Sequence, residues 1–247
     1  MGISKNQKVI LEVARKKTKN FFTENYRKSW EYIKESKNFI YITLIIFLLF
    51  AFIGAFVPVP ELLAEQILEF IEELLRKTAG MSQGELISFI FLNNLQSSFF
   101  GMIFGIALGI FSVITSILNG YLLGFVSSRA VYEEGIFILW RLLPHGIFEL
   151  PALLLSTGLG LKLGFPFIYK YFKYYWKRKN IFALLTGIFF MLPAIILTLI
   201  LNKNLRKYQL KDFLLKVNNS IRVFLFVIFP FLLIAAIIEG GLIFFLK

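Results

Sequence analysis

Residues 39–58, FIYITLIIFLLFAFIGAFVP, carry no charge. About 20 such residues, coiled as a helix, cross the roughly 30 Å hydrocarbon core of a bilayer. Residues 86–131 are apolar for longer still. As one helix they would reach about 69 Å at 1.5 Å per residue, more than twice the bilayer core. The run must therefore fold into two spans, or one span and a half-helix, with the break expected near Gly109. Further apolar stretches cover 137–165, 181–201 and 222–246. The chain is 57% hydrophobic, with 30 phenylalanines among 247 residues, and its mean hydropathy is +0.73. One water-soluble core could not bury that many rings. The expected fold class is all-α, a polytopic transmembrane helix bundle of five or six spans. These lie at about 39–58, 86–108, 109–131, 137–165, 181–201 and 222–246, in one membrane domain over 39–247.

Charge orients the chain. Residues 1–38 hold ten Lys/Arg and four Glu. They form a basic N-terminal helix with Ile10, Val13, Phe21, Trp30 and Ile33 among the cations. Such a segment belongs on the cytoplasmic face of a cell membrane, by the positive-inside bias and attraction to anionic lipid. Residues 59–85 hold two Lys/Arg against six Glu. Within them, residues 61–79 form an amphipathic helix with Leu63, Ile67, Phe70, Ile71 and Leu74 on one face. The VPVP at 57–60 separates it from the first span, which places it outside the cytoplasm. Residues 166–180 carry five Lys/Arg and no acid, so that loop should be cytoplasmic. The net charge of +12 is thus an orientation signal. No nucleic-acid-binding module is recognisable, and nucleic acid is not expected as a partner.

The stretch 181–201 has two basic flanks, since residues 202–222 carry six Lys/Arg and one Asp. It is either a re-entrant hairpin or a true span whose far loop breaks the charge rule. The C-terminus is cytoplasmic only if it crosses. Cysteine is absent, so the sequence holds neither a disulfide framework nor a thiolate metal site. No signal peptide with a cleavage site is expected ahead of the first span.

Ionisable groups are costly at membrane depth, roughly 2.5–3.5 kcal/mol for a central acid or base. Those present are therefore candidates for function. Glu149 follows the only histidine, His145, at i+4, where a helix places both on one face. Glu239 sits in PFLLIAAIIEGGLIFF. Asn93, Asn94, Gln96 and Asn119 add amides. A buried polar network of Asn93, Asn94, Asn119, His145, Glu149 and Glu239 would tie the helices together. Alternatively, His145, Glu149 and Glu239 would ligate a divalent metal such as zinc or relay protons. Gly101, Gly105 and Gly109, and again Gly120 and Gly124, stand four apart, the spacing at which helices approach closely. Arg141 and Lys162 should snorkel to lipid headgroups.

Three segments resemble the stage II sporulation protein M family. They are NNLQSSFFGMIFGIALGIFSVITSILNGYLLG, PHGIFELPALLLSTGLGLKLG and PFLLIAAIIEG, over about residues 90–165 and 228–241. The most specific element is Pro144, His145, Gly146 and Glu149; Asn119–Gly120 and Glu239 match the family's other polar positions. The resemblance implies a multi-spanning membrane protein. Its namesake members look like scaffolds that hold peptidoglycan-remodelling enzymes during engulfment of the forespore, a role that need not transfer to members in organisms that make no spores. It implies no catalytic activity.

Three functions are compatible with the residues. The first is a membrane scaffold, homodimeric and joined to other membrane or envelope proteins, without enzymatic activity. In the second, an intramembrane hydrolase uses metal-bound water at His145, Glu149 and Glu239. The third is a transporter or channel lined by the carboxyls and amides.

Overall fold

A computed structural model describes residues 5–58, 60–106, 109–142, 145–177 and 203–245. The stretch 181–201, with its choice between hairpin and span, lies outside the described residues, as does Pro144. Among those described there is no strand. The described residues form eight α-helices in order: α1 (Lys5–Glu35), α2 (Lys37–Phe56), α3 (Glu61–Thr78), α4 (Gln83–Ile103), α5 (Ile110–Glu134), α6 (Leu150–Lys177), α7 (Lys203–Val223) and α8 (Phe229–Phe245). Two π-turns, His145–Glu149 and Phe224–Ile228, lead into α6 and α8. Among the described residues, five helices are long and apolar enough to cross a membrane: Lys37–Phe56, Gln83–Ile103, Ile110–Glu134, Gly146–Phe165 and Lys211–Phe244. The last is a 34-residue rod built from α7, the π-turn and α8, so it begins well before residue 222. The chain is an all-α, multi-pass membrane protein.

Local sequence explains where the helices start and stop. Pro58 and Pro60 follow α2, and Pro60 caps α3, as expected where no backbone donor is needed. Ser82 and Glu85 form a reciprocal capping box at the start of α4: the Ser82 N–H donates to Glu85 Oε2 at 2.8 Å, and the Glu85 N–H to Ser82 Oγ at 3.4 Å. The turn between α4 and α5 closes on Gly109, whose φ of 68° is left-handed, a conformation that favours glycine. Ser112, one turn into α5, donates to the Gly101 carbonyl at 2.9 Å and clasps the two helices.

Small residues set the packing. α2 and α5 run side by side in the same direction. A Cβ on Gly120 would overlap the Phe47 carbonyl, one on Gly124 the Ala51 carbonyl, and one on Gly54 the Tyr121 carbonyl. α6 runs antiparallel to α2: Gly158 abuts Ile40, and Thr43 Oγ1 lies 3.5 Å from the Leu154 carbonyl. α8 runs antiparallel to α4, with Phe224 against Phe99 (ring centroids 5.5 Å) and Gly240 against Ile87. The core holds Met102, Ala152, Leu159, Phe224, Ile228 and Leu232, with Tyr32 of α1 joining it.

These directions give the bundle two ends. The near end carries the α1–α2 joint, the α4–α5 turn, the end of the α6 span and the start of α7. The far end carries α3, the start of α4 and the π-turn at His145–Glu149. α1 lies along α7 and its π-turn, with Phe21, Phe22 and Tyr26 edge-on to Phe226 at centroid distances of 5.9, 6.1 and 5.7 Å. α3 has hardly any contact with the rest of the bundle, and Leu62, Phe70 and Leu75 on it are exposed.

Candidate functional site: the polar contacts within the bundle

At the far end, His145 and Glu149 bound a π-turn instead of an α-helical one. A proline explains it. Pro151 has no N–H to offer the Ile147 carbonyl and its ring crowds that group; widening the turn relieves the crowding. Pro230 stands in the same relation to Phe226, inside the second π-turn, where the Phe229 N–H reaches back five residues to the Phe224 carbonyl. Both distortions were encoded in the positions of Pro151 and Pro230.

The first π-turn packs against α8, with Phe148 edge-on to Phe231 at 6.2 Å. Glu149 and Glu239 therefore sit on elements that touch. Both side chains are half-buried, and the Oε2 atom of each is shielded from solvent. The His145 side chain is not among those described. Asn119 is half-buried and donates to the Thr115 carbonyl of its own helix at 2.9 Å. Asn94 is half-buried, whereas Asn93 is exposed on the outside of α4 and stands apart from the interior. Among the described residues no three His, Asp or Glu side chains converge.

The near end holds a polar centre that sequence reasoning missed. Lys162 does not reach out to headgroups; it is only 9% exposed. Its ammonium donates to Ser36 Oγ at 2.9 Å, lies 3.7 Å from the centre of the Tyr32 ring, and stands 3.9 Å from Glu35 Oε2. Ser36 Oγ in turn donates to the Tyr32 carbonyl at 2.6 Å. The Tyr32 hydroxyl donates to the Lys216 carbonyl on α7 at 3.3 Å. One lysine thus joins α6, the α1–α2 joint and, through Tyr32, α7. Nearby, Arg222 donates to Asn25 of α1 at 3.1 Å and to Asn219 at 2.6 Å. Burial pushes the Tyr32 phenol above its ordinary range.

Chemically, the centre is a clamp. A cation with donors in three directions meets a hydroxyl, a π face and a carboxylate, all from residues 32–36 at the end of α1. The signal for it was in LGLKLG at 159–164: the lone cation of a largely apolar span.

The sequence also aligns with a known group. A profile described as SpoIIM, Stage II sporulation protein M, matches residues 43–242. The chain belongs to this family. The SpoIIM match runs from α2 to α8, so it takes in the amphipathic α3 and the 166–222 region as well as the three segments that carry the resemblance. No curated protein and no solved structure matches the chain. Within the SpoIIM match lie Glu149, Glu239 and Lys162, whereas Tyr32 and Ser36, which complete the clamp, precede it.

Proposed function

We propose that the protein is a non-enzymatic membrane scaffold, a rigid bundle that holds a long basic helix at the membrane face and assembles other envelope proteins there. The observation that carries this is the Lys162 clamp, which fastens α1 to the ends of the membrane-spanning helices. The α1–α2 joint, flanked by Lys34 and Lys37, and the start of the basic α7 lie at the near end, and the acidic α3 stands at the far end, which supports a cytoplasmic near end. Polar side chains within the bundle join helices, as Ser112 does with Gly101 and Lys162 with Ser36, a use suited to a platform. The test is crosslinking in native membranes, then purification of the wild type and of Lys162→Met. Discrete envelope proteins should accompany the wild type and fall away when α1 is unclamped. A chain recovered alone in both cases overturns the proposal.

The contact between the Glu149 turn and α8 supports a second reading, a divalent ion such as zinc held by His145, Glu149 and Glu239. Metal content of the purified protein, compared with Glu149→Gln and Glu239→Gln, decides it. About one ion per chain, lost in both variants, is required.

A further inference from the structure

Asn93 stands at the middle of the 21-residue α4, at the depth where a bilayer is driest. It is exposed, and so is Gln96 one turn further on. Neither amide makes a hydrogen bond among the described residues. Leu92, Phe99 and Phe100 surround them, also exposed. Each amide carries two donors and an acceptor, and lipid satisfies none of them. A span with this face turned to acyl chains would strand two amides at mid-membrane.

The glycine stripes cannot supply the contact. Gly101 and Gly105 meet Thr157 and Gly160, and Gly120 and Gly124 meet α2, all within one chain. An amide, by contrast, complements itself, because its donor meets the acceptor of an identical group across a two-fold axis.

We propose that the outward face of α4, centred on Leu92, Asn93 and Gln96, docks a second copy of this chain, with the amides hydrogen-bonded across the interface inside the membrane. This stands apart from the scaffold reading, since a pair need hold no other protein and a scaffold need not pair. The natural chain has no cysteine, so single cysteines report cleanly. In native membranes under mild oxidation, Leu92→Cys should give a disulfide-linked dimer. Ile45→Cys, 64% exposed on the outer side of α2, should give hardly any. Adding Asn93→Leu and Gln96→Leu to Leu92→Cys should lower the dimer about tenfold, the scale of a few interhelical hydrogen bonds. Exchanging the two amides, Asn93→Gln with Gln96→Asn, should keep it. Gln96→Leu alone gives a smaller fall and serves if the double variant fails to fold. Equal crosslinking from Leu92→Cys and Ile45→Cys, a dimer untouched by loss of the amides, or an adduct with another protein would each overturn the proposal.

Discussion

Lys162 shows how much one side chain can settle. Replacing it with methionine keeps the volume and removes the charge-assisted bond to Ser36, typically about 1.5–3 kcal/mol. Lys162→Met should lower the unfolding temperature in detergent and expose α1 to trypsin, and Ser36→Ala, which breaks the same bond and leaves the ammonium without its acceptor, should cost at least as much. Tyr32 adds a pH dependence. Its raised pKa means that the fold prefers the neutral phenol. That contribution is complete below the ordinary tyrosine value of about 10 and is lost as pH rises through the higher folded value. Unfolding measured from pH 9 to 12 should show a decline that is shallower in Tyr32→Phe. The Glu24–Lys28 pair, 2.6 Å apart on the exposed side of α1, should contribute almost nothing, as exposed pairs do.

Between elements, the contact of α2 with α5 rests on missing side chains. Gly124→Leu would drive a side chain into the Ala51 carbonyl and should destabilise the bundle by more than about 2 kcal/mol. Gly80→Leu, where a Cβ meets nothing, is the matched control in the same thermal assay. Spacing made the close-packing glycines legible in the sequence, because a period of four on a helix has one geometric meaning. It could not say that they pack inside one chain instead of between two, since the partner backbones of Phe47 and Ala51 are some seventy residues away. The π-turns escaped for another reason. Helical spacing assumes a uniform rise, and Pro151 and Pro230 break that assumption only through a carbonyl four residues upstream. Lys162 was misread because the snorkelling rule considers a side chain and the lipid, not the neighbouring helix that closes over it.

At the scale of the molecule, helix directions predict sidedness. Lys28 on α1 and Lys211 on α7 are both exposed near one end, and Glu73 on α3 is exposed at the other. Lys28→Cys and Lys211→Cys should therefore react with an impermeant maleimide from the same side of sealed vesicles, and Glu73→Cys from the opposite side. Labelling of Lys28→Cys and Lys211→Cys from opposite sides would contradict the packing of α1 along α7. Hydropathy made the membrane class readable at once, because lipid selects uncharged runs of fixed length. The directions of neighbouring helices emerge only from long-range contacts, which a run of apolar residues does not encode.

The parallel alignment of α2 with α5 also bears on biogenesis. Two neighbours pointing the same way cannot be joined by a short turn, so α3 and α4 must be synthesised and inserted before the mate of α2 leaves the ribosome. Until then α2 waits in the bilayer with the groove at Gly54 uncovered. An insertase or chaperone that lingers on the first span until α5 arrives is the helper such a topology calls for.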